Sequence, residues 1–73
     1  MGGVSVVHVE HRSITSTFRG DKRALRAIQR ALPRTGWHLG VKPDEIIVGS
    51  NRVDAAIAAL EQAGFRVVEE VQR

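Results

Sequence analysis

Cysteine and tyrosine are absent, and only three aromatic residues (Phe18, Trp37 and Phe65) occur in 73 positions. Without thiols there are no disulfides, thiolate zinc sites, redox motifs or thiol nucleophiles. The scarcity of aromatics argues against a sheet that binds single strands by stacking, which needs two or three exposed rings. No apolar run approaches the roughly 18 residues that cross a bilayer, and the N-terminus lacks a signal-peptide apolar region. The expected location is therefore cytoplasmic, with no membrane partner. A chain of this length buries only about 60–65% of its unfolded surface, which allows one modest core and excludes a two-domain enzyme with an interdomain cleft. We expect a single small domain over residues 1–73, with residues 1–3 and 72–73 loose.

Charge of one sign is also scarce in one half. Residues 1–36 hold seven basic groups against Glu10 and Asp21, a balance of +5, whereas residues 37–73 balance at −2. The sequence pI is near 10.6. One basic half implies an anionic partner, nucleic acid first and an acidic protein surface second.

Residues 4–9 (VSVVHV) are β-branched and read as a strand. In residues 13–18, Ile14, Ser16 and Phe18 alternate with Ser13, Thr15 and Thr17, giving a second strand or the continuation of a bent first one. Asp21 is placed to cap a helix that Pro33 must end, and Leu25, Ile28 and Leu32 form its apolar stripe. Residues 37–41 and 45–49 flank Lys42-Pro43-Asp44 as an antiparallel hairpin, with Trp37, Leu39 and Val41 on one face. Ser50 or Asn51 caps a second helix with Val53, Ala56, Ile57, Leu60 and Ala63 inward, Gly64 ends it, and residues 65–71 form the last strand. The expected class is α+β: a ferredoxin-like split βαβ sandwich, (β)βαββαβ, with two helices on one face of a mainly antiparallel sheet.

On the first helix Arg23, Arg26, Arg30 and Arg34 fall within about 80° of arc, opposite the apolar stripe, and Arg19 extends the line. No Glu stands at i+4 to neutralise them. Such a row fits phosphates or a carboxylate-rich surface. A solvated face that is simply Arg-rich has the same appearance, because arginine is a good helix former. Arg12 joins this surface if the first strands lie beside the helix.

Other signals are weaker. His8, Glu10 and His11 suggest a metal, but on a strand His11 points away from the other two, so no metal site is expected. Trp37 is either core or a stacking contact. Gly49-Ser50-Asn51 reads as a helix cap rather than a phosphate loop. No set of residues supports catalysis, and neither enzyme activity nor a cofactor is expected.

Ile14 to Phe18, the helix ending in Ala31-Leu32-Pro33-Arg34, the Trp37 hairpin, the second helix and Phe65 to Val68 follow one another in an order known elsewhere. Residues 13–69 resemble, in order and spacing more than identity, the HARP-type damage-recognition modules beside DNA helicase motors. That family carries a second aromatic after the hairpin turn, where this chain has Ile46 and Ile47. The resemblance implies a DNA contact ahead of RNA. Residues 44–68 are also similar to the closing strand–helix–strand of ferredoxin-like metal chaperones and ACT-type domains, but the paired-cysteine loop of the chaperones is missing.

The leading expectation is a non-catalytic nucleic-acid-binding module using Arg12, Arg19, Arg23, Arg26, Arg30 and Arg34 on phosphates, with Trp37 available for stacking. The alternative is a small protein-interaction module, such as a phage-encoded inhibitor or adaptor, docking the same helix on an acidic partner. A third reading makes residues 4–9 an exposed edge strand that pairs two copies into a homodimer.

Overall fold

The β-branched N-terminal run and the alternating run after it form two separate strands in the computed structural model, which describes residues 5–70. They are β1 (Val6–His11) and β2 (Thr15–Arg19), joined by a tight turn in which the Arg12 N–H donates to the Thr15 carbonyl at 2.8 Å. The chain continues through α1 (Lys22–Ala31), β3 (Trp37–Leu39), β4 (Glu45–Gly49), α2 (Val53–Gln62) and β5 (Arg66–Glu70). The terminal residues expected to be loose, together with Val4 of the first strand and Val71 of the last, lie outside the described residues.

The five strands form one mixed sheet in the order β3-β4-β2-β1-β5. All neighbours are antiparallel except β1 and β5, which pair in parallel with Val7 opposite Val67. The fold is thus α+β, while the order does not confirm the ferredoxin-like arrangement. β2, α1 and β3 form a split unit with β4 between its parallel strands, but β4 and β5 are separated by both β2 and β1. The cause is the first hairpin: β1 occupies the free edge of β2, so β5 must pair one place further out.

This order also corrects the edge-strand expectation. β1 is flanked on both sides, and the sheet edges are β3 and β5. The β-branched character of β1 serves an interior strand, with Val7 and Val9 fully buried beneath the helices.

One core joins Val7, Val9, Phe18, Ile46 and Val48 from the sheet to Ala24, Leu25, Ile28 and Leu32 around α1 and to Val53, Ala56 and Leu60 of α2. Both helices therefore cover the same sheet face. The Asp21 carboxylate accepts from the Ala24 N–H at 2.9 Å, the N-cap that the sequence led us to expect. At α2 the expectation fails, because a short 3-10 turn over Ser50–Arg52 intervenes and neither Ser50 nor Asn51 makes a capping bond. The other end of α2 closes as a Schellman turn: Phe65 N–H donates to Leu60, Gly64 N–H donates to Glu61, and Gly64 adopts φ +91°. Ile14, expected to face inward with Ser16 and Phe18, is 75% exposed because it belongs to the turn before β2. Leu39 and Val41, at 67% and 100% exposure, reach beyond the helices' cover.

Candidate functional site

The arginines expected in a single row separate into three groups. Arg23, Arg26 and Arg30 stay together on the exposed side of α1 and line a groove of about 300 Å³, completed by Ala27, Ala63 and Phe65. The Schellman turn makes this groove possible, since it sends the chain from α2 into Phe65, which packs half-buried against the core beside α1. None of the three guanidinium groups has an ionic or hydrogen-bonding partner among the described residues.

Arg19 and Arg12 are engaged differently. Arg19 Nη2 lies 3.2 Å from Glu45 Oε2, because β2 and β4 place these residues opposite each other. Arg12 Nη2 reaches Glu10 Oε2 at 3.5 Å at the tip of the first hairpin. Arg12 is not among the residues that line the α1 groove.

Arg34 is a correction to the helical row. α1 ends at Ala31 with Leu32 already extended, and Pro33 redirects the chain before Arg34. Arg34 instead holds its guanidinium carbon 5.1 Å from the centre of the Trp37 ring, within cation–π range. Trp37 is half-buried against the core, and its Nε1 is buried with no hydrogen-bond partner among the described residues.

The histidines also divide. His8 Nδ1 lies 3.7 Å from Glu70 on the helix-free face of the sheet. His11 turns the other way, with Nδ1 2.8 Å from Ser16 Oγ and Nε2 2.8 Å from Glu69 Oε1. All three groups are satisfied when the ring donates from Nε2 to the carboxylate and accepts from the hydroxyl at Nδ1. Serine, imidazole and carboxylate in this order resemble a hydrolytic relay, but Ser16 is only 2% exposed and lines none of the hollows described here. The three side chains link β2, β1 and β5 through these two hydrogen bonds.

A second hollow, of about 320 Å³, opens on the helix-free face. Thr15, Thr35, His38, Asn51 and Arg52 surround its Ile47 floor, and no carboxylate lines it. The sequence did not single out Arg52, which meets Thr35 and His38 only through the folded chain. Phe65, read from the sequence as the start of the last strand, is a second residue of this kind.

The chain matches no family model, and no curated protein or solved structure matches it either.

Proposed function

We propose that this protein is a non-catalytic nucleic-acid-binding module that grips phosphates through the α1 groove. One observation carries the reading: three guanidinium groups without counter-ions among the described residues line a single groove. Four of the expected contacts, Arg12, Arg19, Arg34 and Trp37, already have intramolecular partners, which narrows the phosphate contact to Arg23, Arg26 and Arg30. From Arg23 to Arg30 the helix rises about 10 Å, enough for two or three successive phosphates of one strand.

The electrostatics of α1 favour the same reading. Lys22 and Arg23 occupy its first turn, where the helix dipole disfavours cations, and that turn contains no acid. Lys22, Arg26 and Arg30 follow one another at i,i+4, a spacing at which like charges each cost a few tenths of a kcal/mol. A cationic face that lowers the helix's own stability is better explained by an external anion than by folding. The resemblance in element order to damage-recognition modules points to DNA.

Fluorescence anisotropy of labelled single- and double-stranded oligonucleotides at low and moderate salt tests the proposal. Binding that weakens steeply with salt is expected. An absence of binding at low salt overturns the reading and leaves an acidic protein as the partner of the same helix.

A further inference from the structure

The hollow on the helix-free face is chemically distinct from the α1 groove and needs its own explanation. Arg52 enters it from the 3-10 turn before α2, half-buried and without an ionic partner among the described residues. Its stem lies directly on Gly36: a Cβ there would stand 2.7 Å from Arg52 Cδ and 3.2 Å from Nε. Gly36 has no positive φ, so its backbone does not require glycine. With glycine at 36 the arginine stem keeps this position, which a larger residue would displace. Gly49 similarly lies under Asn51, whose Oδ1 would be 3.1 Å from an added Cβ.

Two glycines thus make room for a cation and an amide at one rim. The remaining polar groups are the hydroxyls of Thr15 and Thr35 and the imidazole of His38, all able to donate to an anion. A half-buried guanidinium with no partner among the described residues, set among neutral donors in a hollow that no carboxylate lines, suits a compact oxyanion that it can hold through two parallel bonds. Next to this hollow lies another, formed by Arg34, Trp37 and Leu39, which shares Thr35 and His38 with it. Together they provide a polar end for a phosphate and an apolar end for an attached organic group.

We propose that this hollow binds a phosphomonoester, with Arg52 as the anion ligand and Thr15, Thr35, His38 and Asn51 as supporting donors. The phosphomonoester can belong to a free mononucleotide or to the 5′ end of a nucleic-acid strand. The site does not depend on the α1 groove, and either can fail alone.

The test is a heteronuclear NMR titration of the ¹⁵N-labelled full chain with inorganic phosphate, AMP, and an oligonucleotide with or without a 5′ phosphate. Saturable movement of the Gly36, Gly49, Asn51 and Arg52 amides is expected. Movement with AMP assigns a free mononucleotide, whereas movement only with the 5′-phosphorylated strand assigns a strand end; both outcomes support the site. Arg52→Gln should weaken the interaction about tenfold or more. Arg26→Glu with Arg30→Glu should leave it within about twofold, because those side chains line a different groove. If Arg52→Gln does not fold, Thr35→Val, at an exposed position, serves the same purpose. The proposal is overturned if none of these ligands moves the four amides. It is equally overturned if the movement survives unchanged in a folded Arg52→Gln or Thr35→Val variant.

Discussion

α1 and α2 have the same length, ten residues each, and the same architectural task, yet opposite chemistry. Each buries three residues against one sheet face, Ala24, Leu25 and Ile28 from α1 and Val53, Ala56 and Leu60 from α2. Outside that stripe, α1 carries Lys22, Arg23, Arg26 and Arg30 with no acid, whereas α2 carries Asp54 and Glu61 with no base. Packing specifies the inner stripe of each helix and leaves the outer face free. The outer face of α1 departs from what helix stability favours, whereas Asp54 in the first turn of α2 agrees with the dipole. The difference is the observation that supports placing the proposed contact on α1 rather than α2.

Removing the inner stripes should show the two helices as equals. Ile28→Ala and Leu60→Ala each delete a fully buried side chain, and each should cost about 2–5 kcal/mol in denaturant unfolding. A cost near zero for either would break the shared-core half of the comparison. The caps should then separate them. Asp21→Ala loses a bond to the Ala24 N–H and should cost about 1 kcal/mol, whereas Asn51→Ala, which makes no capping bond, should stay within about 0.5 kcal/mol. The smallest effect is the most informative about charge. Arg23→Glu places an acid in the first turn of α1 and should raise stability by a few tenths of a kcal/mol, while Asp54→Lys should lower that of α2 by a similar amount. If Arg23→Glu destabilised the fold instead, the arginine would have a structural partner and the functional argument for α1 would weaken.

Where local signals sufficed, the sequence was informative. Asp21 and Pro33 bracketed α1, the β-branched run at 4–9 and the residues 37–49 hairpin marked strands, and Gly64 ended α2, while one strand or two over residues 4–18 stayed open. What it could not reveal depended on distant pairing. Periodicity carried the arginine row through Pro33 to Arg34, although the helix had already ended at Ala31. The Glu45 that meets Arg19 is 26 residues away and becomes its neighbour only through the β2–β4 register, so a search at i±4 had no means of finding it. The interior position of β1 depends on its parallel pairing with β5, some 60 residues later, while its β-branched composition suits an edge equally well. The α1 groove was half legible: the three arginines were, but its Phe65 wall required the turn after α2. The hollow around Arg52 was not legible, because its donors come from four separate segments.

The salt dependence of oligonucleotide binding, compared between the native chain and Arg26→Glu with Arg30→Glu, tests the central claim most directly. With three phosphates neutralised on duplex DNA, the plot of log K against log salt should slope at about −2.7, and reversing two arginines should bring it to about −0.9 or shallower with a marked loss of affinity. Equal affinity and an unchanged slope in the reversed protein would contradict the account, because the α1 groove would then not be the contact.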